Sequence, residues 1–321
     1  MKRSSEIRLA MLGMIEGNGH PYSWSAIING YRPELMAACP YPAIATYLGK
    51  QALESVRIPG ARVTHIWTDN PEDAPKVAAA SRIENVVERP EDVIGKVDAV
   101  VLATDDGTDH VRRSAAFIKA GLPMFVDKPL AINIPELKQF VRWKNEQHAI
   151  LSSSGMRYAP EMAAVKERCA EIGEQRWITS VTSKTWERYG IHALEPLYVE
   201  LGPGFLSAET VSQPGSDIVH LKHRTGVQAS VAAIHDAYGS FGNIHVYGTK
   251  GQLALTFKDT YTAFRDQLLS FISLLETGRD PFAFEETVEL MCILIAGIRS
   301  REQKRLVAVE EIRAEVDQKS A

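Results

Sequence analysis

Short apolar segments alternate with helical patterns over the first 130 residues, and this alternation limits the possible fold more than any other feature. The apolar runs are Ile7 to Met14, Val63 to Thr68, Val97 to Ala103 and Met124 to Val126. Strands that are apolar on both faces are typical of a parallel sheet covered by helices. Right-handed crossovers then give a doubly wound fold. We therefore predict an α/β Rossmann domain over residues 1–130.

Helices are predicted between these strands, near Tyr22 to Gly30, Pro71 to Ser81 and His110 to Ala120. The first crossover carries an insertion, Arg32 to Gly60, which is rich in proline and has a short helical pattern near Ala43 to Leu53. We expect this insertion to cover the cleft of the domain.

The pattern changes after Pro129. Helices are predicted over Pro135 to Gln147 and Pro160 to Ile172, with a strand at Ala149 to Ser153 between them. Strands with short glycine-bearing turns follow, and they are predicted at Trp177 to Trp186, Ile218 to Arg224, Val227 to His235, Asn243 to Tyr247 and Gln252 to Phe257. Two helices, Asp259 to Glu276 and Phe284 to Ser300, close the chain. The order predicts a second, α+β domain over residues 131–321 with a largely antiparallel open sheet.

Composition excludes several functional classes. The 321 residues carry a net charge of −4, so there is no basic surface of the kind that binds nucleic acid or an anionic membrane. No apolar run is long enough to span a bilayer, and the N-terminus does not resemble a signal peptide. The three cysteines form no CxxC pair, which favours reduced thiols and a cytoplasmic protein.

Metal binding is not expected either. His220 and His223 lie at odd spacing on a predicted strand and should face opposite sides of the sheet. The sequence has no HExxH motif and no carboxylate cluster of the kind that holds a metal ion.

A glycine-bearing loop follows the first strand, from Gly13 to Pro21. A strand, a glycine loop and a helix in this order are typical of a pyrophosphate site, because backbone N–H groups at a helix N-terminus bind phosphate. The glycines do not have GxGxxG spacing, so a plain turn in a non-nucleotide α/β protein is equally compatible with this loop. Asp69 follows the second strand and could bind the adenosine ribose, which favours NAD over NADP. It could equally cap the next helix.

Lys128 lies directly after a buried strand and before Pro129, at the sheet edge where ligands bind in such folds. A lysine there could donate a proton to a substrate oxygen, and burial near other cations would lower its pKa toward neutrality. The alternative is a structural lysine paired with Asp127.

His192 and Glu195 are three residues apart on a predicted helix, so they share a face. The histidine could accept the hydroxyl proton while hydride leaves the carbon. Glu195 could orient the imidazole or bind a sugar hydroxyl. A capping pair in an exposed first turn is the alternative.

The segments DKPLA at 127–131 and GIHALE at 190–195 resemble the glucose–fructose oxidoreductase/inositol dehydrogenase (Gfo/Idh/MocA) family. Arg157-Tyr158 with Pro160 and the Gly248-Thr249-Lys250-Gly251 turn add to the likeness, which covers Ile7 to Val309. The resemblance implies an NAD(P)-dependent oxidoreductase for sugars or cyclitols that forms homo-oligomers, dimers or tetramers, through its C-terminal sheet.

By position, the resemblance implies catalytic roles for Lys128 and His192. The residues implied in cofactor binding are Gly13, Gly17, Asn18, Gly19, Asp69, Thr104, His110 and Lys128. Those implied in substrate binding are Arg157, Arg188, His192 and Glu195. One departure is marked: Arg188 stands where the family has an aspartate, four residues before the histidine. Arginine cannot act as a base. It should lower the pKa of Lys128 and His192, or bind an anionic substrate.

These observations predict an enzyme that moves hydride between nicotinamide and a secondary alcohol or carbonyl of a sugar, polyol or sugar acid. NAD is the expected cofactor, with NADP as an alternative, and no metal is expected. Two other hypotheses remain: a lyase or glycosidase that oxidises its substrate transiently, and a non-catalytic sensor that binds nucleotide or sugar.

Overall fold

The computed structural model describes residues 6–318, and the first half of the chain forms a parallel sheet with helices on both faces. The elements are β1 (Ile7–Leu12), α1 (His20–Asn29), α2 (Pro33–Met36), α3 (Pro42–Leu48), β2 (Ala61–Trp67), α4 (Asp73–Ala80), β3 (Asn85–Val86), β4 (Ala99–Leu102), α5 (His110–Lys119), β5 (Met124–Val126), α6 (Ile134–Asn145) and β6 (Ile150–Leu151). Within the described residues the strand order is β3-β2-β1-β4-β5-β6, and every pair is parallel. The predicted Rossmann architecture is confirmed.

The second half forms a mixed sheet and a group of helices. Its elements are α7 (Pro160–Ile172), β7 (Gln175–Ser183), α8 (Trp186–Leu201), β8 (Phe205–Gln213), β9 (Ser216–His223), β10 (Gln228–Ile234), β11 (Asn243–Gly248), β12 (Gln252–Thr256), α9 (Thr260–Thr277), α10 (Phe284–Gln303), β13 (Val307–Ala308) and α11 (Val309–Asp317). The strand order is β12-β11-β7-β10-β9-β8-β13, and β7 and β10 pair in parallel while the other pairs are antiparallel. The predicted largely antiparallel sheet is confirmed.

Several elements differ from the predictions. Among the described residues, the parallel sheet has six strands, and β6 lies at one edge of it. Only five of these six strands fall within residues 1–130, the predicted Rossmann domain. Strand β8 was not predicted, because its second half is largely exposed and polar. The chain closes with a third helix, α11. The strand predicted through Trp186 ends at Ser183, and Trp186 is instead the first residue of α8, with Arg188 also in its first turn.

Helix α9 joins the two halves. Its apolar residues belong to the same core as β1, α1 and β2. The ring centroids of Phe271 in α9 and Phe125 in β5 lie 5.7 Å apart. Trp24 of α1 packs edge-on against Phe125, with a centroid distance of 5.4 Å. The Rossmann sheet is thus covered on this face partly by a helix from the far end of the sequence, which fixes how the two halves meet.

The proline-rich insertion packs beside the glycine loop. Side chains of Tyr41 and Ile44 lie so close to Gly19 that a Cβ there would be within 2.8 Å of either one. Tyr47 packs against Phe264 of α9, with ring centroids 6.3 Å apart. The insertion therefore covers the start of α1, on one side of the loop.

The indole of Trp186, fully buried at the start of α8, packs against two glycines. Its Nε1 donates to Leu294 O at 2.9 Å, which sets the ring between α8 and α10. A Cβ at Gly297 would lie 2.6 Å from Nε1, and one at Gly190 would lie 2.6 Å from the ring edge. Both helices can approach the ring only because these residues lack side chains.

We predict that Gly297→Ala destabilises the protein by about 1–3 kcal/mol, because an added methyl overpacks a rigid buried ring. This outweighs the gain of up to about 1 kcal/mol that alanine brings to a helix interior. The free energy of unfolding in urea measures the effect. Gly239→Ala is the matched control, since a Cβ there meets nothing within 4 Å. Equal stability of the two variants would contradict this account of the packing.

Candidate active site

The carboxyl ends of β1, β4 and β5 meet helix α8 at a cleft, and Lys128 lies at its centre. Its side chain is 2% exposed, and the Lys128–Pro129 peptide bond is cis. Nζ lies 3.4 Å from Asp105 Oδ2 and 4.6 Å from the centroid of the Tyr189 ring. The loop after β4 supplies the anion and α8 supplies the ring, so both domains surround this lysine.

Arg188 forms a two-pronged ion pair with Asp105. Its Nε donates to Oδ2 at 2.8 Å and its Nη2 to Oδ1 at 2.6 Å. Burial alone would raise the pKa of Asp105, but Lys128 and Arg188 together hold that pKa below its ordinary value. A fully ionised carboxylate therefore lies between two cations, with one cation from each domain.

The pKa of Lys128 is opposite to the predicted one. Burial alone would lower it, but the carboxylates of Asp105 and Asp127 raise the pKa of Lys128 above its ordinary value. Arg188 acts to lower the pKa of Lys128, as predicted, but the two carboxylates outweigh it, so the predicted net lowering of this pKa is wrong. Lys128 is therefore a permanent cation at neutral pH, suited to donating hydrogen bonds and stabilising negative charge.

His192 lies on α8 beside the Tyr189 ring, at a centroid distance of 4.8 Å. Burial, with Lys128 nearby, lowers the pKa of His192 well below its ordinary value, so the ring is neutral at neutral pH. Its Nδ1 is 2.7 Å from Ser154 Oγ, and that oxygen also accepts from Met156 N–H at 3.1 Å.

The hydrogen-bond network assigns the tautomer of His192. Ser154 is fully buried, and its hydroxyl lies 2.7 Å from Nδ1 of His192 and accepts from Met156 N–H. A buried hydroxyl that donated nowhere else would be left unsatisfied, so Ser154 O–H donates to Nδ1. The neutral ring then carries its proton on Nε2. His192 presents a donor, and this differs from the proton acceptor that the sequence suggested.

Glu195 and Arg157 form a buried network behind His192. Glu195 accepts from Ser154 N–H at 3.0 Å and from Arg157 Nε at 2.8 Å. Arg157 also donates to Glu286 at 2.7 Å and stacks on Phe282 at 3.9 Å. Both side chains have protein partners, so they position the segment that holds the imidazole.

The turn after β1 has the features that a dinucleotide requires. Gly13 has a φ of +87°, and a Cβ there would lie 2.6 Å from Thr104 Cγ2, so only glycine fits between the ends of β1 and β4. Oγ1 of Thr104 is buried, and it has no hydrogen-bond partner in the described part of the chain. Asp69 accepts from Met14 N–H at 3.0 Å. These residues fit a nucleotide at this edge of the sheet.

The rest of the glycine loop is tied to the protein. Asn18 is buried, and its amide donates to Ala103 O at 3.1 Å and Asp127 Oδ2 at 3.2 Å. Gly17 has a φ of +76° and is exposed; its carbonyl accepts from Lys184 Nζ at 3.2 Å. Arg188 donates to Glu16 O at 2.9 Å. Lys184 and Arg188 of the second domain therefore hold the exposed part of this loop from across the cleft. Asn18 ties the loop to the ends of β4 and β5.

Two further predicted cofactor residues have structural partners. His110 is fully buried, with Nε2 2.8 Å from Thr104 O and Nδ1 3.2 Å from Leu130 O. This ring links the loop after β4 to the segment after Lys128. Asp69 pairs with Arg113 at 2.8 Å, and its side chain is 29% exposed. Its carboxylate therefore remains accessible at the end of β2.

The sequence did not identify Asp105, Ser154, Lys184 and Tyr189 as site residues. Lys184 Nζ lies 4.2 Å from the Tyr189 ring centroid and donates to its hydroxyl at 2.8 Å. No short motif contains these residues, which come from different loops and helices. His220 is exposed and His223 is buried, as predicted for opposite faces. The described residues contain no group of three ligands that could hold a metal ion.

Residues 45–154 match the model of an oxidoreductase family with an NAD-binding Rossmann fold, GFO_IDH_MocA. The matched segment includes Asp69, Asp105 and Lys128. The predicted resemblance to the Gfo/Idh/MocA family is confirmed. The match begins after the glycine loop, the part of this domain whose spacing departs from GxGxxG.

Solved structures of several dehydrogenases resemble nearly the whole chain in fold. Myo-inositol 2-dehydrogenase from Lactobacillus plantarum has a TM-score of 0.75 at 14% identity, covering 95% of this chain and 99% of that one. Scyllo-inositol dehydrogenase from Lactobacillus casei, solved with NAD(H) and scyllo-inositol, has a TM-score of 0.72 at 14% identity, with 95% and 100% covered. A probable dehydrogenase from Thermotoga maritima has a TM-score of 0.71 at 16% identity, with the same coverage. No curated protein matches the sequence.

We predict that Asp105→Asn destabilises the protein by about 3 kcal/mol or more, because Lys128 is left buried without its carboxylate. The stabilisation that the ionised Asp105 gives the wild-type protein should be complete above the pKa of aspartate in the unfolded chain, about 4. It should be lost as the pH falls from there toward the lowered pKa of the folded protein. Urea unfolding between pH 7 and pH 3 measures both effects.

Glu84→Gln is the control for this variant, since Glu84 pairs with Arg62 at an exposed site and should cost at most about 1 kcal/mol. A difference between wild type and Asp105→Asn that stays constant down to pH 3 would contradict the assignment.

Proposed function

We propose that this protein is an NAD(P)-dependent oxidoreductase that moves hydride between nicotinamide and a CH–OH carbon of a polyol, sugar or sugar acid. One observation supports this most strongly: a permanently charged lysine and a neutral histidine donor lie together at the carboxyl edge of a Rossmann sheet. Inositols are the named substrates of structural neighbours, so cyclitols are the first class to assay.

Nicotinamide supplies the hydride acceptor or donor when bound, and the protein supplies the groups that act on the substrate oxygen. Lys128 is protonated and His192 carries a proton on Nε2, so both can donate to that oxygen. In reduction they polarise a carbonyl, and in oxidation they stabilise an alkoxide. Asp105 keeps the lysine charged and in place. Asp105 thus supplies a carboxylate to this group of residues, in which Arg188 stands where the family resemblance implies an aspartate.

The cofactor preference in this proposal is for NAD. Asp69 presents a partly exposed carboxylate at the end of β2, where it would bind ribose hydroxyls and repel a 2′-phosphate. Arg113 could attract that phosphate, but it lies between Asp69 and Asp109, at 2.8 Å and 2.7 Å. The positive charge is therefore neutralised locally.

We also propose assembly into a homo-oligomer through the second sheet, and a cytoplasmic location. The support for assembly is that Trp177, Leu206 and Val211 on this sheet are 43%, 53% and 55% exposed, and exposed apolar surface favours association. No helix among residues 6–318 has the length and hydrophobicity to cross a membrane.

Lys128→Met should lower kcat about a hundredfold or more, because it removes the charged hydrogen-bond donor while keeping an apolar stem of similar length. NADH formation or consumption with a panel of cyclitols, sugars and sugar acids measures this. Lys144→Met is the matched control, since Lys144 is 18% exposed and pairs with Asp280 at 2.7 Å outside the cleft. Normal turnover by the folded Lys128→Met variant would refute the assignment. Substrate consumed without net NADH formation would instead assign transient oxidation.

A further inference from the structure

His20 is the first residue of α1, and its ring is held on three sides. Its Nδ1 lies 2.5 Å from Asp127 Oδ2. The ring stacks on Trp24 at a centroid distance of 4.2 Å and meets the edge of Phe264 at 5.4 Å. The side chain keeps 15% exposure, whereas Asp127 has none. The imidazole is thus fixed in one orientation with part of its edge open.

Asp127 determines which nitrogen of His20 carries the proton. Its Oδ1 accepts from Lys128 N–H at 2.7 Å, and its Oδ2 accepts from the Asn18 amide at 3.2 Å. Both oxygens of Asp127 thus act as acceptors, and His20 Nδ1 is the donor to Oδ2. The proton therefore lies on Nδ1. In the neutral ring Nε2 is a free base, and it makes no hydrogen bond within residues 6–318.

His20 complements the other titratable groups of the cleft. Lys128 and His192 both present donors, so neither can take up a proton in its resting state. His20 lies close enough that its charge acts on both Asp105 and His192. Asp127, which holds the ring, is the residue directly before Lys128. Of the three basic side chains Lys128, His192 and His20, only His20 offers an acceptor, and the Asp105 carboxylate is engaged by Lys128 and Arg188.

We propose that His20, oriented by Asp127, is the proton acceptor for alcohol oxidation at this site. This inference rests on the function proposed above. In the step, the substrate O–H bond breaks and its proton passes to Nε2 of His20. The hydride of the C–H bond passes to NAD⁺, giving NADH, and a C=O bond forms. Lys128 and His192 hold the oxygen throughout, and Asp127 is the positioning residue for the base.

The tautomer is tested without any substrate. Nitrogen-15 NMR of the full-length protein saturated with NAD⁺, at alkaline pH where imidazoles are neutral, should show His20 protonated on Nδ1 and bare at Nε2. The Asp127→Asn variant should show a mixture of tautomers, because an amide can donate as well as accept. A His20 ring protonated on Nε2 in the unmodified protein would overturn the proposal.

The role in turnover is tested with His20→Ala. It should lower kcat about a hundredfold or more, with the Kd for NADH unchanged, and added imidazole should restore at least about a tenth of the loss. Asp127→Asn should also lower kcat. His223→Asn is the control for a lost buried histidine, since His223 bonds Thr225 and Pro203 O in the second domain.

Three outcomes would overturn this role: kcat retained in His20→Ala, a loss confined to NADH affinity, or a kcat loss that imidazole does not restore in a folded variant. Failure of the proposed function is separate, since then the unmodified protein would not turn over any substrate of the panel.

Discussion

A buried ammonium is stable only beside a carboxylate, and the burial of Lys128 determines much of this structure. Asp105 provides the carboxylate from the loop after β4, and Arg188 of α8 forms an ion pair with the same carboxylate. Each domain contributes a cation to one anion, so Asp105 links the Rossmann domain to helix α8 of the second domain. The carboxylate of Asp105 also helps to keep Lys128 protonated, so the group that joins the two domains also acts in the chemistry proposed for the cleft.

The second domain also acts on the nucleotide loop directly. Arg188 and Lys184 donate to the carbonyls of Glu16 and Gly17, which are the exposed residues of that loop. In a Rossmann domain this loop ordinarily approaches the pyrophosphate through its backbone. Here the residues after it, Gly19 and His20, pack under Tyr41 and against Trp24. The unusual glycine spacing of the loop thus has a structural consequence: it brings His20 next to Asp127.

The sequence predicted the fold well because apolar periodicity and glycine placement are local signals. The edge strand β6 and the polar strand β8 were exceptions, since only tertiary pairing marks them as strands. For the site, the position of Lys128 at a strand end made it a candidate beside the alternative of a structural lysine, and the family resemblance favoured the catalytic role. Its pKa could not be predicted, because Asp105 is 23 residues away and its contact depends on the loop after β4. The tautomer of His192 likewise depends on Ser154, which no motif connects to α8.

The central claim is that this cleft binds a nicotinamide dinucleotide, and a thermal-unfolding comparison with NAD(H) and NADP(H) tests it most directly. A ligand at a hundred times its Kd stabilises the native state by about 2.7 kcal/mol. We predict a clear rise in Tm with NAD(H) and a smaller one with NADP(H), because Asp69 disfavours the 2′-phosphate. An unchanged Tm with all of these nucleotides would contradict the account.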